Sequence, residues 1–595
     1  MTATLLVVGG ASLDILHFQG RTVRSAGGAG LYTSLAAHRA GARVTMVGPR
    51  PSPMPRELQP AAERIRWIGP LVSPEELPTF EIAHHGAGHT NLENIYWRSE
   101  AMLSPADLPR LEPDPDLVHC IGLTDPQRQL AFVTHLRSIG RTVACGTYSC
   151  AATDHAPVVR EIMERADIFF CNESEAVGLF GSVDEACTRP GKVLFITRGP
   201  RGAKVVLGDY ATDIPAVPVR ELDPTGAGDT FCGTVLALLA LGAHPVIAAE
   251  HGVAAAAEMI TGVGPEALLR DTPTPAPPDD PRVHVDEGQV GRVGRVIGSL
   301  PDIEPFDFTG ETFPPPGHPA ALDFFFAATL QQFGFWYEQA GRYRAPMVAG
   351  LGGIERKGSD YLWAAYRRWL EDQPEGLTPA AQGSLDYATL VARTRSDSGP
   401  SPLPVLDLRV EAARSFGQDM TALGWTAASL LGHANESPRP LQTFLSLLDR
   451  VGGYNEDPLR KKSALLAVIL EQRPERFLRR ISGETMPPIV DYHVMRSCLR
   501  MGMVRIDDDD MLQKLEARET VPAPDERAVR DVSYRAMARL AGVSGRSMGA
   551  VDYFFFQNRR RCPEMTAPDC GRCPVDPACA HAISLFQPVY RTTCY

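Results

Sequence analysis

Over residues 1 to about 270, short β-branched runs alternate with longer amphipathic segments, and this alternation constrains the fold more than any other feature of the 595-residue sequence. Glycine or polar turn residues follow each run, as is typical where a strand ends and the chain turns into a helix. Strands that alternate with helices favour a mainly parallel sheet covered on both faces. We therefore predict a three-layer α/β domain, with strands at Leu5–Val8, Val44–Val47, Leu117–Ile121, Thr142–Ala144, Ile168–Phe170 and Val193–Thr197.

The pattern changes in the second half of the chain. The stretch Pro273–Pro281 cannot continue a helix or a central strand and indicates a linker, whose far edge is open up to Pro319. From Ala320 the apolar residues recur at helical spacing, which predicts a mostly α-helical domain. The predicted domains are an α/β domain over 1–271, a Pro-rich linker over 272–319 and a helical domain over 320–595. The predicted helical segments are Leu322–Tyr337, Tyr361–Leu370, Leu441–Leu448, Lys461–Leu470 and Val494–Met503.

Charge is distributed unevenly along the chain. The net charge is −12, with 25 Lys and Arg against 38 Asp and Glu up to Pro319, and 34 against 33 after it. The first half should repel polyanions, and the second half could contact phosphate only through a local patch. No run approaches the ~18–20 apolar residues that span a bilayer, and the first residues lack the charged segment of an export signal. We therefore expect a cytoplasmic protein without a membrane partner.

The clearest motif of the first half is Asp223-Pro-Thr-Gly-Ala-Gly-Asp229-Thr-Phe, which precedes the apolar run Val235–Leu241. Glycines that open a helix leave backbone N–H groups unpaired at the positive end of the helix dipole, and this predicts an anion hole at Gly226–Gly228. Asp229 beside it could accept a proton from a hydroxyl that attacks a phosphoryl group. The Lys-Ser/Thr ending of a P-loop is absent. A plain glycine-rich turn from strand to helix is the alternative interpretation.

Further motifs accompany this one in a fixed order between Thr4 and Leu269. Together they resemble the PfkB, or ribokinase-like, family of ATP-dependent sugar and nucleoside kinases. The motifs are Gly9-Gly10-Ala-Ser-Leu-Asp14, Gly27-Gly28-Ala-Gly30, Asn172-Glu-Ser-Glu175, Thr197-Arg-Gly199-Pro-Arg-Gly202 and the motif from Asp223 to Phe231. The resemblance implies a ribokinase-like fold with ATP and Mg²⁺ as cofactors.

The resemblance also implies a role for each matching residue. Asp14, with Gly27 and Gly28, would hold substrate hydroxyls. The remaining assignments are Asn172 and Glu175 for Mg²⁺ and phosphates, Thr197 and Gly199 for the nucleotide border, Gly226, Ala227 and Gly228 for the anion hole, and Asp229 for the base.

Each of two assignments has a structural alternative, since Asp14 could cap a turn and Asn172 could cap a helix that starts at Glu173. The sequence also departs from the family pattern at Tyr32, where sugar kinases usually carry an asparagine just past the paired glycines. The tyrosine ring could stack on a base of the substrate or fill space. This change disfavours a simple sugar and favours a nucleoside as the acceptor.

Four of the twelve cysteines are clustered near the end of the chain as Cys562-x7-Cys570-x2-Cys573-x5-Cys579. Four thiolates within such a short segment can hold a [4Fe–4S] cluster or a tetrahedral zinc ion. The spacing resembles the iron–sulphur loop of the endonuclease III group of helix-hairpin-helix glycosylases, with one extra residue in the first gap. We therefore favour the cluster and keep Zn²⁺ as the alternative.

The segment Ile489-Val-Asp491-Tyr-His493 resembles the part of those glycosylases in which an aspartate begins a helix and a histidine follows two places later. By this resemblance Asp491 is the catalytic aspartate, and a buried carboxylate can stabilise the oxocarbenium ion that forms when an N-glycosidic bond breaks. The alternative is that Asp491 only caps the helix that begins near Tyr492. The glycine-rich hairpin that grips DNA in those enzymes is absent from Arg479–Pro488, which disfavours duplex DNA as a partner.

A second resemblance spans roughly Asp323 to Ile506. It rests on Phe333–Trp336, Lys357–Leu370, Leu459–Ala464 and Val490–Val494, which look like the queuosine salvage protein family, nucleosidases built on the glycosylase scaffold. This implies that Asp491 hydrolyses a 7-deazaguanine nucleoside or its 5′-phosphate. Phe335, Trp336 and Tyr361 are the candidates for stacking on the base, although rings at helical spacing also build cores. The cysteine loop is not part of that family.

Our hypothesis from the sequence is a bifunctional enzyme, in which a kinase supplies a nucleotide to a glycosidase on the same chain at high effective concentration. The predicted partner is a small-molecule sugar or nucleoside, and a homodimer is compatible with the sequence. One alternative is a repair-type glycosylase that uses Arg559–Arg561 to contact DNA or RNA phosphates. The other is a non-catalytic helical half that serves as an iron–sulphur interaction module.

Overall fold

A computed structural model describes residues 2–18, 21–84, 90–96, 98–110 and 114–595. The chain divides into two compact units, Met1–Pro278 and Asp279–Tyr595, and the division falls inside the proline-rich stretch. Within the described ranges, no helix has both the length and the apolar character needed to cross a membrane.

The first unit is built on a nine-stranded sheet. The strands of the unit are β1 (Thr4–Val8), β2 (Ser12–Phe18), β3 (Arg21–Gly27), β4 (Arg43–Val47), β5 (Arg50–Pro51), β6 (Arg66–Ile68), β7 (Leu71–Val72), β8 (Thr79–His84), β9 (Thr90–Tyr96), β10 (Leu117–Cys120), β11 (Val143–Cys145), β12 (Ile168–Asn172), β13 (Val193–Thr197), β14 (Ala203–Leu207) and β15 (Tyr210–Ile214). The order in the main sheet is β15-β14-β13-β12-β11-β10-β1-β4-β6. Neighbours are parallel from β6 to β13, and only β14 and β15 are antiparallel. The prediction of a mainly parallel α/β fold is confirmed.

A second sheet of four strands, in the order β3-β2-β8-β9, belongs to the same unit. Its strand β2 follows β1 after a short glycine turn and carries Asp14. The small pair β5 and β7 is separate from both sheets.

Helices follow the strands of the main sheet, and the strands are buried apolar runs because the sheet is covered on both faces. The helices are α1 (Ala29–Arg39), α2 (Gln59–Ala62), α3 (Pro126–Ser138), α4 (Ser149–Asp154), α5 (Ala156–Arg165), α6 (Glu173–Phe180), α7 (Ala227–Ala240) and α8 (Pro245–Met259). Short 3-10 turns lie at Pro74–Glu76, Arg98–Met102, Pro105–Asp107, Gly199–Arg201 and Glu266–Leu269. Helix α7 packs against both α1 and α8, and Gly233 of α7 permits the close approach to α1.

The second unit is largely helical, as predicted. Its helices are α9 (Glu287–Ser299), α10 (Ala321–Leu330), α11 (Ser359–Asp372), α12 (Pro379–Gln382), α13 (Tyr387–Arg393), α14 (Leu406–Ala422), α15 (Ala427–Glu436), α16 (Pro440–Leu448), α17 (Lys461–Gln472), α18 (Tyr492–Arg500), α19 (Asp509–Ala517), α20 (Ala523–Ser544) and α21 (Met548–Asn558). Its short strands are β16 (Val283–Val285), β17 (Trp336–Gln339), β18 (Arg342–Pro346), β19 (Val348–Leu351), β20 (Ile354–Lys357) and β21 (Val504–Ile506), and 3-10 turns lie at Pro374–Leu377, Cys570–Arg572 and Asp576–Ala578.

Two sequence predictions need correction in this unit. The helix predicted over Leu322–Tyr337 ends at Leu330, because the chain turns at Gly334, whose φ of 63° no helix adopts, and continues into β17. The linker predicted over 272–319 is too long, since β16 pairs with β21 and α9 packs against α20. The spacing of the buried residues Val290, Val293 and Ile297 along one face of α9 explains this packing.

A buried ion pair fixes the start of α17. The Asp457 carboxylate accepts two hydrogen bonds from the Arg530 guanidinium, at 2.7 and 2.8 Å, and one from the Lys461 backbone N–H at 2.7 Å. Burial opposes the ionisation of Asp457, but Arg530 outweighs it and keeps the pKa of Asp457 below its usual value. Removal of either partner would leave an uncompensated buried charge. The pair therefore anchors the first turn of α17, which carries Lys461.

Candidate active sites

A cleft of about 780 Å³ lies in the first unit, at the edge where the parallel strands end. Most of the site residues predicted from the sequence line it, although they are far apart in the chain. They are Asp14, Gly28, Tyr32, Asn172, Glu175, Thr197, Gly226, Gly228 and Asp229. Gly27, Gly199 and Ala227 do not line it, and Gly199 begins the 3-10 turn that follows β13.

The turn before α7 is held by Asp223, whose carboxylate accepts hydrogen bonds from the N–H groups of Thr225 (2.9 Å) and Gly264 (2.8 Å). Gly226 then adopts a left-handed φ of 83°, and the Ala227 N–H donates to the Pro224 carbonyl at 3.1 Å.

Ala227 therefore cannot serve the predicted anion hole with its backbone amide. Among the residues that the structure describes, the N–H groups of Gly226, Gly228 and Asp229 find no acceptor. These three amides, at the positive end of the α7 dipole, are the ones available to an anion.

Asp229 lies in the first turn of α7 and is half-buried in the wall of the cleft. Burial raises its pKa from 3.8 to about 6. The carboxylate is therefore ionised at neutral pH yet remains a better proton acceptor than an exposed aspartate.

Asn172 and Glu175 form a capping box at the start of α6. The Asn172 side-chain oxygen accepts from the Glu175 N–H at 2.9 Å, and the Glu175 carboxylate accepts from the Asn172 N–H at 2.9 Å and from its amide nitrogen at 2.7 Å. The capping alternative for Asn172 is confirmed, and both residues also line the cleft. Burial raises the pKa of Glu175 to about 7, and the nearby Asp229 adds to the shift.

Asp14 is only 3% exposed, and its carboxylate accepts a hydrogen bond from the Phe80 N–H at 3.3 Å. Burial raises its pKa to about 7. Gly27 pairs with Ser12 across β2 and β3, and a Cβ at Gly27 would lie 1.8 Å from the Asp14 Oδ2 atom. Gly27 thus makes room for the carboxylate without lining the cleft itself.

Tyr32 lies in α1 with its ring against Gly226, where a Cβ would come within 2.6 Å of two ring carbons. The side chain is only 2% exposed. Tyr32 therefore fills space beside the free amides, in agreement with the second interpretation of this residue.

Sequence reasoning missed Glu100, a buried carboxylate that also lines the cleft. Both of its oxygens lie 3.2 Å from the Thr124 N–H. Burial raises its pKa to about 7. No sequence signal marks Glu100, because it lies in the 3-10 turn Arg98–Met102, outside any recognisable motif.

A second cavity, of about 310 Å³, lies in the second unit and contains Asp491. Its wall is mainly aromatic. The rings are those of Phe306, Phe308, Phe313, Phe335, Trp363, Tyr492, Tyr553 and Phe556.

Asp491 caps α18, since its Oδ1 atom accepts from the N–H groups of His493 (2.8 Å) and Val494 (3.0 Å). The capping alternative is confirmed, and the residue also lines the cavity. Burial favours the neutral acid, but the Lys461 ammonium and the two N–H donors outweigh it and keep the pKa of Asp491 below its usual value. The carboxylate is therefore ionised at neutral pH.

Three further polar residues of this cavity received no role in the sequence analysis. Burial lowers the pKa of Lys461 to about 8, and its Nζ atom donates to the Gln332 carbonyl at 2.7 Å. Burial, reinforced by the charge of Asp491, raises the pKa of Asp552 to about 8. The Gln332 side-chain nitrogen is buried and has no hydrogen-bond partner in the described part of the chain. The sequence signal for Asp552 is an isolated acid in the apolar helix α21.

Only one of the three predicted stacking residues reaches this cavity. Phe335 lines it, whereas Trp336 stacks on Tyr343 with ring centroids 5.5 Å apart. Tyr361 is fully buried and its hydroxyl donates to the Thr394 carbonyl at 2.9 Å. Trp336 and Tyr361 are therefore core residues, which corrects the prediction that they stack on a base.

The four clustered cysteines line one small pocket of about 30 Å³, and all four are free thiols. Arg500 donates to the Cys562 sulphur at 3.2 Å, and the His581 N–H donates to the Cys579 sulphur at 3.4 Å. Such donors are typical of the surroundings of metal-bound thiolates.

The spacing of these sulphurs bears on the choice of metal. Zinc–sulphur bonds of about 2.3 Å place the sulphurs of a tetrahedral site about 4 Å apart. Within the described ranges, one group of three potential metal ligands has all its ligand atoms within 4.8 Å of one another. This group consists of Cys570, Asp576 and His581. Among the described residues, no three of the four cysteine sulphurs therefore lie within 4.8 Å of one another.

Comparison with known proteins gives matches to the first unit. Residues 6–272 match the pfkB family carbohydrate kinase model. The cytidine kinase of Thermococcus kodakarensis is 30% identical over 245 residues, which are 39% of this chain and 87% of that protein. The ribokinase of Bacillus subtilis is 38% identical over 88 residues, or 14% of this chain and 30% of that protein.

Solved structures that are similar to this chain include a probable sugar kinase from Rhizobium etli. The TM-score is 0.40 and the identity is 18%, over 44% of this chain and 95% of that chain. Another is the nucleoside kinase of Burkholderia thailandensis in complex with inosine, with a TM-score of 0.38, 20% identity and coverage of 46% and 94%.

The family model and the cytidine kinase together identify the first unit as a phosphotransferase. Through its first unit, the chain belongs to the pfkB family of carbohydrate kinases, and the family match ends at residue 272. The first unit is accordingly an ATP-dependent kinase of sugars or nucleosides.

The left-handed turn at Gly226 leads to a prediction about stability. Gly226→Ala should lower the free energy of unfolding by about 1–3 kcal/mol, because the backbone is strained for alanine and the new Cβ meets the Tyr32 ring. Gly228→Ala is the matched control, since among the described residues nothing lies within 4 Å of its added Cβ. Urea unfolding followed by circular dichroism measures both variants, and equal losses of stability would contradict this account of the turn.

Proposed function

We propose that the first unit transfers the γ-phosphoryl group of ATP to the 5′-hydroxyl of a nucleoside, and that the second unit hydrolyses the N-glycosidic bond of the resulting 5′-phosphate. The single observation that carries the first half is the cleft itself. It holds Asp229, with its pKa of about 6, beside three backbone amides that have no acceptor among the described residues.

In the kinase reaction, the Asp229 carboxylate accepts the proton of the acceptor hydroxyl while the hydroxyl oxygen attacks the γ-phosphorus of ATP. The bond to the bridging oxygen breaks, and ADP leaves. The amides of Gly226 and Gly228 stabilise the negative charge of the transferred group. Mg²⁺ neutralises phosphate charge when it is bound with ATP, and Asn172 and Glu175 would organise it.

A nucleoside is the acceptor that we favour. The cytidine kinase of T. kodakarensis is similar over nearly its whole length. Tyr32 replaces the amide that binds small sugars, and its ring closes the space beside Gly226. Asp14 and Glu100, two buried carboxylates in the same cleft, are suited to hold ribose hydroxyls.

The observation that favours a second activity is the pair of carboxylates in the aromatic cavity of the second unit. Asp491 is ionised, while Asp552, with a pKa of about 8, carries a proton at neutral pH. Two neighbouring acids with opposite protonation states are the arrangement that glycoside hydrolysis uses. Asp491 would stabilise the oxocarbenium ion, and Asp552 would protonate the departing base while water adds to the sugar.

The size and wall of this cavity support a small substrate. A volume of about 310 Å³ is at the lower end of small-molecule sites and suits one nucleotide. Aromatic rings and the unpaired Gln332 amide suit a planar base with polar edges. We therefore retain a 7-deazaguanine-type nucleoside 5′-phosphate as the substrate class, ahead of DNA or RNA and ahead of a non-catalytic module.

For the cysteine loop we propose a [4Fe–4S] cluster, held by Cys562, Cys570, Cys573 and Cys579. The spacing of the four cysteines along the sequence and their grouping around one small pocket support this choice, with Zn²⁺ as the alternative. When bound, the cluster would cross-link the loop, and no step of either reaction is assigned to it.

Asp229→Asn should lower kcat of phosphorylation by about 10²- to 10⁴-fold, because the amide cannot accept the proton. Since the base acts in its ionised form, the wild-type rate should rise with pH through about 6 and level off above it. ADP release in the presence of a nucleoside panel gives both measurements. Asp213→Asn, at an exposed carboxylate that pairs with the largely buried Arg198, is the control. A variant that keeps wild-type turnover would refute the role of the base.

Asp491→Asn should abolish base release from nucleoside 5′-phosphates while ADP formation by the first unit continues unchanged. Asp552→Asn should slow base release and remove the decline of the rate above pH about 8, because that decline reflects loss of the Asp552 proton. Liquid chromatography of the free base measures both. Asp510→Asn, at a surface pair with Lys514, is the matched control. Undiminished base release by Asp491→Asn would contradict the proposal.

A further inference from the structure

The cysteine loop contains a carboxylate that none of the functions above uses. Glu564 follows Cys562 by two residues and is only 2% exposed, whereas the next residue, Met565, is 47% exposed. A buried carboxylate is costly unless cations or hydrogen bonds compensate it. The residues that contact the Glu564 carboxylate therefore indicate the role of this part of the loop.

Those partners belong to the wall of the Asp491 cavity. The Glu564 carboxylate forms an ion pair with the Lys357 ammonium, and its Oε1 atom lies 3.3 Å from the His493 Nδ1 atom and 3.6 Å from the Arg496 NH2 atom. Lys357 and His493 line the cavity, and Arg496 lies behind them. The loop thus places one negative charge among three nitrogen-bearing side chains.

The contacts also orient the His493 ring. The Arg496 NH2 atom lies 3.0 Å from Nδ1, and because a guanidinium can only donate, Nδ1 accepts and the ring proton is on Nε2. The Glu564 Oε1 atom therefore lies beside Nδ1 without a hydrogen bond from the ring. The backbone N–H of His493 donates to Asp491. The same residue therefore connects the loop carboxylate to the carboxylate that we assign to catalysis.

The position of Glu564 depends on how the loop starts. The Arg500 NH1 atom donates to the Cys562 sulphur at 3.2 Å and to the Pro563 carbonyl at 3.0 Å. The Cys562 N–H donates to the Asn558 carbonyl at 2.9 Å, at the end of α21. The position of Glu564 is thus set by a short segment that begins at Cys562, one of the four clustered cysteines.

We propose that Glu564 is a positioning residue through which the cysteine loop holds the wall of the second cavity in its binding geometry. The carboxylate keeps Lys357 paired and away from Asp491, and it keeps the Arg496–His493 pair in place. The inference rests on the function proposed for this cavity, and it gives the cysteine loop a role: a loop without its metal group releases Glu564 and loosens the cavity.

The test compares Glu564→Gln, which keeps the size of the side chain, with Glu564→Asp, which keeps its charge. The probe is free 7-deazaguanine, whose binding is followed by quenching of tryptophan fluorescence, since Trp363 lines the cavity. Glu564→Gln should lower the affinity by about 10- to 100-fold, as is typical when a supporting partner is lost. Glu564→Asp should recover part of it, whereas a purely structural role would make the two variants equal. Glu519→Gln, at a surface pair with Arg342, is the matched control.

Hydrogen exchange monitored by mass spectrometry provides a readout that needs no ligand. Both Glu564→Gln and a Cys573→Ser variant should increase deuterium uptake in residues 354–360 and 489–496, and the double variant should add nothing further. Iron and zinc contents are measured in parallel and should be unchanged in Glu564→Gln. Loss of metal in that variant would overturn the proposal, because Glu564 would then serve the loop rather than the cavity.

Unchanged uptake in both segments would also overturn it. If the wild type releases no base from any nucleotide but the exchange pattern changes as described, the proposed glycosidase function fails and the positioning role of Glu564 stands.

Discussion

Two hydrogen bonds to the buried carboxylate of Asp223, from the amides of Thr225 and Gly264, hold the turn on which the kinase site depends. They fix Gly226 in the left-handed region, so that α7 starts with amides that face the cleft and with Asp229 in its first turn. The main sheet supplies the rest, because the carboxyl ends of parallel strands meet at one edge. Asn172 and Thr197 reach the same cleft from the ends of β12 and β13.

The two proposed catalytic aspartates show how surroundings give one residue type different properties. Asp229 has its pKa raised by burial, which suits a base that must accept a proton. Asp491 is also half-buried, but the Lys461 ammonium and two N–H donors reverse the shift of its pKa. That reversal suits a group that must stay negative opposite a developing cation. The capping of α18 is thus part of the electrostatics of Asp491 and does not compete with a chemical role.

Local patterns predicted the fold well, since β-branched runs and helical periodicity depend on neighbouring residues. Most of the residues predicted from the order of the glycine and aspartate motifs also line the first cleft. Glu100, Asp552 and the amide of Gln332 were missed, because their burial depends on segments distant in the chain. Trp336 and Tyr361 were assigned to the site because the sequence cannot distinguish a ring that faces a cavity from one in the core. The bond from Ala227 to Pro224 likewise depends on turn geometry that no motif specifies.

In the proposed reaction sequence the two units act one after the other, and the nucleotide made by the first is the substrate of the second. The most direct measurement follows the nucleoside, its 5′-phosphate and the free base over time by mass spectrometry, using purified protein and 7-deazaguanosine with ATP or with a non-hydrolysable ATP analogue. The account predicts that the 5′-phosphate appears first and the free base follows, only with ATP. Base release at the same rate with the analogue, or a 5′-phosphate that accumulates without any base, would contradict it.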